Sequence, residues 1–382
     1  MSCAPPIIVS ETDLKGLLPE QLRALATDLG EPAYRGDQLF SWIHEQGESR
    51  MEAMSNLPKR FRLALVDAGT SVGRLKLLER RDSRTGMAVK FLFEAQSFRP
   101  GSAAQAPAGQ IEAVLIVDGD RRTACLSSQV GCALDCQFCA TRRMGFRRNL
   151  SAGEMVDQLL QLNAVAAEGG ERVTNIVMMG MGEPLLNYDE VTQALRVIRH
   201  TDGAAIGGRR ITVSTAGYLP GIRRLTEDDL NVGLAISLNA TTDAVRERLM
   251  PINRKWPIAD LLQAARDYFD RKGRRVTFEY VLMDGVTDSD DDAQRLAALT
   301  RDLPCKINLI PYNEPGDEGI ADETPTFRRP PRSRIDAFLR RLRAHTDHTV
   351  TLRESRGRDI AAACGQLYIE QENRRPRAAA TA

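Results

Sequence analysis

The sequence has no apolar run long enough to cross a membrane. Its apolar stretches all fall well short of the roughly 18 residues that a membrane-spanning helix needs. The segment from Met1 to Ser10 also lacks the basic stretch followed by an apolar core that marks a secretory signal. Seven cysteines, an odd number, do not suggest a framework of disulfides. We therefore expect a cytoplasmic protein without a membrane span, in which thiols serve metal binding or catalysis.

The chain has almost no net charge. Its 52 basic and 51 acidic residues leave a formal charge of +1, so the protein as a whole has no bulk attraction for nucleic acid. The basic residues are nevertheless clustered, and the pairs Arg142-Arg143 and Arg147-Arg148 follow directly after a cysteine-rich segment. Clusters of charge usually form only a solvated face. Because these two pairs lie beside the expected chemistry, we predict that they contact phosphates of a nucleic acid.

Histidine is scarce, which limits the kind of metal site that the sequence can form. The four are His44, His200, His345 and His348. None of them pairs with a second cysteine at the short spacing of a structural zinc site. A closed zinc site is therefore not indicated.

Three cysteines do stand close together, at Cys132, Cys136 and Cys139 in the segment Gly131–Ala140. A loop this short can turn three sulfurs toward one point, and thiolates hold iron–sulfur clusters and zinc. Three protein ligands on a 4Fe-4S cluster leave one iron open to a substrate. We favour such a cluster. We reject cysteines that only pack in the core, because three at this spacing are unusual for packing alone, whereas zinc with a distant fourth cysteine stays open as the alternative.

The N-terminal part of the chain predicts a small domain of its own. The segment from Glu11 to Leu65 has helical spacing in three pieces, and the segment from Arg74 to Phe93 alternates like a β-hairpin. The stretch that follows is rich in Ala, Pro, Gly and Ser and predicts a surface loop. We predict an N-terminal domain over residues 1–97, a loop over 98–110, a catalytic domain over 111–370 and a flexible tail over 371–382.

Beyond Glu112, short apolar runs alternate with amphipathic stretches, as in a parallel sheet covered by helices. The predicted strands are Thr123–Ser128, Asn175–Met179, Ile211–Ser214, Val232–Leu238, Val276–Met283, Ile307–Ile310 and Val350–Arg353. The predicted helices are Glu154–Ala167, Tyr188–His200, Ile258–Arg271, Asp290–Arg301 and Arg334–His345. This predicts an α/β fold, a partial (β/α) barrel with a small N-terminal helical domain. Functional groups gather at the C-terminal strand ends of such a barrel, where the cysteine segment also lies.

Polar side chains follow several of these strands. Glu183 lies in a glycine-rich segment after the second strand, where its carboxylate suits an ammonium group. Ser214, Ser237 and Asn313 follow the third, fourth and sixth strands. Such residues also serve in ordinary turns and helix caps. Their shared edge of the sheet favours a site for a ribose or an amino acid.

Two further cysteines lie near the expected chemistry. Cys125 stands on the strand that enters the cysteine segment. Cys364 lies in a glycine-containing segment with two arginines shortly before it, which would favour a thiolate. A lone cysteine in a strand more often packs in the core, which is our interpretation of Cys305. Both possibilities stay open for Cys125 at this point.

Six short strings, taken in order, resemble a known family over nearly the whole chain. They are Gln110–Glu112, Cys125–Cys139, Gly180–Pro184, Ser237–Ala240, Pro251–Asn253 and Gly357–Leu367. The sequence resembles the radical S-adenosylmethionine (SAM) enzymes of the RlmN type, which methylate C2 of adenine in rRNA and tRNA, and the related Cfr enzymes, which methylate C8. Any one string could occur by chance, but the ordered set is specific. The resemblance implies a partial barrel of the radical SAM type.

The resemblance implies a radical mechanism that uses two SAM molecules per turnover. Cys364 would take a methyl group from one SAM and become S-methylcysteine. A second SAM, bound to the open iron of a 4Fe-4S cluster on the three clustered cysteines, would yield a deoxyadenosyl radical that abstracts hydrogen from that methyl group. The carbon radical would add to adenine, whose C2 ordinary SAM displacement cannot methylate. Cys125 would remove the proton from the substituted carbon and then form a transient disulfide with Cys364.

The resemblance also implies roles for other residues. Those expected to bind SAM are Gly182, Glu183, Ser214, Ser237, Leu238, Asn239 and Asn313. Asn239 stands where the family pattern has His, and Asn forms hydrogen bonds but does not titrate near neutral pH. Glu112 matches a position expected to accept a proton. Since Glu112 lies in an apolar run, a paired structural carboxylate is the alternative.

The implied partners are large-subunit rRNA in its peptidyl-transferase region, the anticodon loop of tRNA, and an electron donor such as flavodoxin or ferredoxin. The target adenine would have to be single-stranded or flipped out, because C2 cannot be reached inside a base stack. Three alternatives stay open. They are a C8 enzyme, a radical SAM enzyme with a small-molecule substrate, and a non-catalytic zinc-dependent RNA-binding module.

Overall fold

The structure is a computed structural model that describes residues 12–73, 75–95, 109–314 and 327–369. Three helices near the N-terminus, α1 (Pro19–Asp28), α2 (Tyr34–His44) and α3 (Lys59–Asp67), confirm the predicted helical segment. They pack on fully buried apolar side chains such as Leu22 and Phe61. Within the described ranges, no helix is both long and apolar enough to span a bilayer.

Most of the described strands belong to one mixed sheet. The strands are β1 (Lys76–Asp82), β2 (Ala88–Ala95), β3 (Gly109–Asp118), β4 (Arg121–Cys125), β5 (Gln129–Gly131), β6 (Phe146–Asn149), β7 (Asn175–Met178), β8 (Ile211–Thr215), β9 (Gly233–Ser237), β10 (Val276–Leu282), β11 (Cys305–Pro311) and β12 (Thr349–Leu352). Ten of them form a sheet in the order β1-β2-β3-β4-β7-β8-β9-β10-β11-β12. From β4 to β12 all neighbouring strands are parallel, and β5 and β6 form a separate antiparallel ribbon. The predicted α/β fold is confirmed.

Seven helices accompany the parallel strands in the described residues. They are α4 (Ala152–Glu168), α5 (Tyr188–Arg199), α6 (Leu219–Glu227), α7 (Asp243–Leu249), α8 (Ile258–Lys272), α9 (Asp290–Thr300) and α10 (Arg332–Arg343). The five that the sequence predicts lie within about two residues of their expected bounds, which is the usual variation at helix ends. α6 and α7 were missed because they are short, at 9 and 7 residues, whereas a helical period is read over about 11 to 18 residues.

The predicted hairpin is present as β1 and β2, and these two strands form one edge of the ten-stranded sheet. β2 pairs along its length with β3, which in turn pairs with β4, the first parallel strand. The strand β3 was not predicted, although its nearly continuous apolar run resembles those of the predicted parallel strands. The last two residues of the predicted loop, Gly109 and Gln110, begin β3. Residues 96–108 and the predicted tail lie outside the described residues, and the domain limits stay a prediction.

Candidate active site

A cleft of about 1040 Å³ opens at the C-terminal ends of the parallel strands. Parallel strands bring their C-terminal ends to one edge, so residues distant in sequence meet there. The sequence-predicted residues that line the cleft are Cys132, Cys136, Cys139, Gly182, Glu183, Ser214, Ser237, Asn239, Asn313 and Cys364. Three predicted residues, Glu112, Cys125 and Leu238, lie outside its lining.

The cysteine segment is held by the ribbon of β5 and β6. Gly131 ends β5 with φ +73°, and a Cβ atom there would lie 1.7 Å from the carbonyl oxygen of Gly145, so only glycine fits. The backbone N–H of Cys132 donates to that same carbonyl at 3.0 Å. Further along, the N–H of Ala140 donates to the carbonyl of Gly365 at 2.8 Å. The segment is therefore joined both to its own ribbon and to the chain around Cys364.

The three clustered thiols suit an iron–sulfur cluster by their chemistry and position. All three are half-buried and line one wall of the cleft. Burial raises the pKa of Cys132 to about 12 and raises the pKa of Cys136 and Cys139, so each thiol keeps its proton until a metal binds. In the described residues, no group of three or more Cys, His, Asp or Glu side chains is placed to bind a single metal ion together. A four-iron cluster places each thiolate on a different iron, so three separated sulfurs fit it.

Glu183 is a buried carboxylate at the floor of the cleft. Its oxygens accept hydrogen bonds from the N–H groups of Leu185 at 3.1 Å and Ala216 at 2.8 Å. Burial raises the pKa of Glu183 to about 7. A ligand ammonium beside it would stabilise the charged form, as the sequence predicts for the amino group of SAM. The preceding Gly182, at φ +98°, has no room for a side chain, because a Cβ would lie 2.6 Å from that of Gln129.

Asn313 carries a polar atom without a partner. Its Nδ2 donates to the carbonyl of Cys364 at 3.2 Å, whereas its buried Oδ1 has no hydrogen-bond partner among the described residues. An unsatisfied buried acceptor is costly unless a ligand or water donates to it. Since Asn313 lines the cleft, this atom fits a donor on bound SAM.

Asn239 and Leu238 differ in what they offer to a ligand. Asn239 has φ +57°, a conformation that Asn tolerates better than most residues. Its Oδ1 accepts a hydrogen bond from the N–H of Val281 at 3.0 Å, so the oxygen of its amide is already bonded to the backbone of β10. Leu238 is fully buried in the core and lies outside the cleft lining. A contact of Leu238 with SAM stays a prediction.

The two cysteines predicted to be catalytic, Cys125 and Cys364, meet at a second cavity. This space of about 430 Å³ is lined by both Cys125 and Cys364, and Cys364 also lines the main cleft. Since both line the same cavity, Cys125 lies near Cys364. Burial and the charge of Cys364 raise the pKa of Cys125 to about 12, and the guanidinium of Arg353 opposes the shift. By contrast, Cys305 is buried in β11 and lines neither space, in agreement with the packing role expected for it.

Two charged residues of the site were missed by the sequence analysis. Arg353 lines both the cleft and the thiol cavity, as Cys364 does, and its Nη1 donates to the Sδ of Met179 at 3.8 Å. Glu279 lines the cleft from β10, is 6% exposed, and accepts from the Nδ2 of Asn308 at 2.8 Å. The available signal was a charged residue within or at the end of an otherwise apolar strand.

Glu112 lies apart from both spaces. Its carboxylate forms an ion pair with Lys90 at 2.9 Å and accepts from the N–H of Tyr368 at 3.0 Å. Burial raises its pKa, and the positive charge of Lys90 opposes that shift. This geometry matches the paired structural carboxylate considered as the alternative for this position. A role as proton acceptor stays a prediction.

The arginine pairs beside the cysteine segment are partly neutralised. Arg142 forms an ion pair with Asp135 at 3.2 Å. Arg148 reaches both carboxylate oxygens of Glu154, at 2.7 and 2.8 Å. These carboxylates already compensate charge that was expected to meet phosphates, so contact of these pairs with RNA stays a prediction.

Comparison with known proteins identifies the chemistry of this cleft. Residues 126–297 match the model of the radical SAM superfamily, and residues 12–68 match that of the ribosomal RNA large subunit methyltransferase N-terminal domain. The dual-specificity RNA methyltransferase RlmN of Anaeromyxobacter dehalogenans is 42% identical over 375 residues, which are 97% of this chain and 95% of that protein. The chain belongs to the RlmN family.

A second curated relative and a solved structure agree with this assignment. The dual-specificity RNA methyltransferase RlmN of Geobacter sulfurreducens is 43% identical over 93% of this chain and 91% of its own length. The crystal structure of a radical SAM methyltransferase from Sphaerobacter thermophilus matches with a TM-score of 0.84 and 43% identity, and covers 93% of this chain and 99% of that one. The predicted family, fold and enzyme class are thus confirmed. Membership implies SAM, a 4Fe-4S cluster and an RNA substrate.

Proposed function

We propose that this RlmN-family enzyme methylates C2 of an adenosine in the peptidyl-transferase region of large-subunit rRNA and in the anticodon loop of tRNA. The observation that carries the proposal is the shared cavity of Cys125 and Cys364 beside the cleft. A radical SAM enzyme that needed only the cluster would have no use for two further thiols there. The proposed partners are rRNA, tRNA and an electron donor such as flavodoxin or ferredoxin.

The cleft residues would hold the cofactors by the contacts that their chemistry favours. Cys132, Cys136 and Cys139 would hold the cluster, Glu183 would pair with the ammonium of SAM, and the Oδ1 of Asn313 would accept a hydrogen bond from it. When bound, the cluster and two SAM molecules per turnover supply a methyl group and an organic radical, the reactivity that the weakly nucleophilic C2 carbon requires.

Cys364 and Cys125 would divide the transfer of the one-carbon group between them. Cys364 carries the carbon to C2 on its sulfur, and Cys125 accepts the proton that leaves the substituted carbon, while the unpaired electron of the adduct would pass back to the oxidised cluster. Cys125 then gives up its proton to solvent, its thiolate attacks the sulfur of Cys364, and the bond from that sulfur to carbon breaks. The electron pair stays on the carbon, which takes a proton to become the methyl group. The resulting disulfide must be reduced by an external thiol before the next turnover.

The Cys125→Ala variant tests this division of roles. Without Cys125 the RNA cannot be released, so we expect RNA to stay covalently bound to Cys364 after incubation with SAM and a reductant. Denaturing gels and mass spectrometry of the Cys364 peptide would detect it. Cys305→Ala, which removes a buried thiol outside both spaces, is the matched control and should turn over normally. A fully active Cys125→Ala enzyme would end the proposed role.

A further inference from the structure

We infer that Lys90 and Glu112 form a positioning pair that fixes both ends of the segment carrying Cys364. The inference rests on the function proposed for Cys364 and adds two residues that act on it without touching substrate. Lys90 lies on β2 and Glu112 on β3, and both are buried, at 6% and 4% exposure. Their Nζ and Oε1 atoms are 2.9 Å apart.

Each member of the pair also holds one end of the Cys364 segment. The Nζ of Lys90 donates to the carbonyl of Ala361 at 3.4 Å. The Oε2 of Glu112 accepts from the N–H of Tyr368 at 3.0 Å. These two contacts lie on either side of Cys364 in the chain, so the ion pair spans the segment that bears the thiol.

The segment needs such contacts because its backbone has little regular structure. Its only helical turn in the described residues is the short 3-10 helix Arg358–Ile360. Ala361 and Gly365, on either side of Cys364, have φ values of +49° and +82°, so both depart from regular helix or strand geometry. No strand or helix ladder fixes the sulfur, so single hydrogen bonds from neighbouring elements, such as those of Ala140 and Asn313, supply that order.

The pair also ties the position of Cys364 to that of Cys125. Lys90 pairs in register with Val114 of β3, and Val114 pairs with Cys125 of β4. Directly opposed residues of antiparallel strands point to the same face of a sheet. The same three strands therefore carry Cys125 and the anchor of the Cys364 segment. The positions of both sulfurs are thus determined by these strands.

Neither residue is placed to act on substrate. Lys90 and Glu112 lie outside the lining of the cleft and of the thiol cavity. One carboxylate oxygen of Glu112 faces Lys90 and the other faces the N–H of Tyr368. The pair is thus a positioning device that acts through the backbone of the Cys364 segment.

The test is hydrogen–deuterium exchange of the reconstituted holoenzyme, followed in the peptide covering residues 361–369. The Lys90→Met/Glu112→Leu variant replaces the buried charges by apolar side chains, a change that folded proteins often tolerate, and it removes both anchors. We expect exchange in this peptide to rise about tenfold or more because the segment opens locally. S-methylation of Cys364 should slow in parallel. Asp157→Asn, which breaks the buried ion pair with Lys15 elsewhere, is the matched control and should leave this peptide unchanged.

A charge reversal separates anchoring from simple ion pairing. Lys90→Glu/Glu112→Lys keeps an ion pair, but Glu cannot donate to the carbonyl of Ala361 and Lys cannot accept from the N–H of Tyr368. We expect the same faster exchange and slower S-methylation. Wild-type exchange in either folded variant would overturn the inference. So would normal exchange and S-methylation accompanied by RNA trapped on Cys364, since that result assigns Glu112 to proton acceptance.

The exchange readout also keeps this inference distinct from the proposed function. Faster exchange in the variants, with no methylation of Cys364 even in the wild-type enzyme, would leave the anchoring intact and refute the proposed chemistry. Methylation of Cys364 in the wild type, together with unchanged exchange in the variants, would refute the anchoring and leave the proposed chemistry intact.

Discussion

At the scale of single residues, the reactivity of the thiol pair depends on Arg353. This guanidinium lowers the pKa of Cys125, which burial raises to about 12. Removing the positive charge in Arg353→Gln should therefore leave less thiolate at any given pH. We expect alkylation of Cys125 by iodoacetamide at pH 8 to slow severalfold or more, since a nearby opposite charge typically shifts a pKa by about one unit or more. When alkylation rates are measured between pH 7 and 10, the variant should need a higher pH than the wild type to reach the same rate.

Arg353→Lys is the matched control for this prediction, because it keeps a positive charge at the same position. It should retain most of the alkylation rate. Equal rates in the Gln variant and the wild type would show that Arg353 does not stabilise the Cys125 thiolate.

The cluster ligands make a second prediction at this scale. Changing Cys136 to Ser should remove one of three thiolate ligands, and we expect iron content and reductive SAM cleavage to fall to background. Iron and acid-labile sulfide analysis after anaerobic reconstitution measures the first, and chromatography of 5′-deoxyadenosine the second. Cys305→Ala should match the wild type in both. Unchanged iron in the Cys136 variant would refute the ligand set.

The grouping of the three cysteines could be predicted from sequence because local spacing alone brings them together. All three lie in one short loop, and the structure places them in the lining of the cleft. Arg353 and Glu279 could not be predicted in the same way. They come from β10 and the end of β12, and only the pairing of parallel strands brings them to the same cleft. The anchoring of Cys364 by Lys90 likewise depends on contacts across 271 residues of chain.

At the scale of elements, the ribbon of β5 and β6 sets the position of the cysteine segment. Gly131→Ala would place a Cβ atom 1.7 Å from the carbonyl oxygen of Gly145, so the ribbon must open. We expect the variant to retain less than about half of its iron after gel filtration, because a strained turn of this kind costs on the order of 1–3 kcal/mol before the steric clash is counted.

Gly119→Ala is the control for the ribbon prediction. Gly119 also has a positive φ, +55°, but an added Cβ meets nothing within 4 Å. This variant bears the backbone strain without the clash, and its iron content should stay near that of the wild type. Full iron retention in Gly131→Ala would mean that the ribbon does not determine the geometry of the cysteine segment.

The parallel strands were predictable because burial on both faces leaves continuous apolar runs between amphipathic helices. The same rule does not identify neighbours, and the apolar run of β3 from Ile111 to Val117 gave no indication that it would pair antiparallel with a hairpin. Sequence periodicity reports how a strand is buried. It does not report which strand lies beside it, and so the continuity of the hairpin with the catalytic sheet emerged only in three dimensions.

At the scale of the whole molecule, stability depends on pH through the buried His44. Its ring packs 4.2 Å from that of Phe40, and its Nε2 has no hydrogen-bond partner among the described residues. Burial lowers the pKa of His44 from its usual 6.5 to about 3. Between these values the unfolded chain binds a proton that the folded protein does not. The stability that depends on neutral His44 is thus fully present above pH 6.5 and is lost as the pH falls toward 3.

Because of His44, we expect the free energy of unfolding to fall by about 2 kcal/mol when the pH is lowered from 7 to 5. Urea unfolding at the two pH values, followed by circular dichroism, measures the change. His44→Leu should remove this part of the pH dependence, whereas His345→Gln, which changes an exposed side chain, should keep it. Identical pH dependence in His44→Leu and the wild type would contradict the assignment.

The central claim is that the fold, cleft and thiol pair act together to methylate C2 of adenosine in RNA. The most direct measurement is mass spectrometry of nucleosides from unmodified large-subunit rRNA fragments and tRNA, after anaerobic incubation with the iron-reconstituted enzyme, SAM and a reductant. The account predicts 2-methyladenosine in both RNAs. An 8-methyladenosine product, or unmodified RNA despite cleavage of SAM, would contradict it.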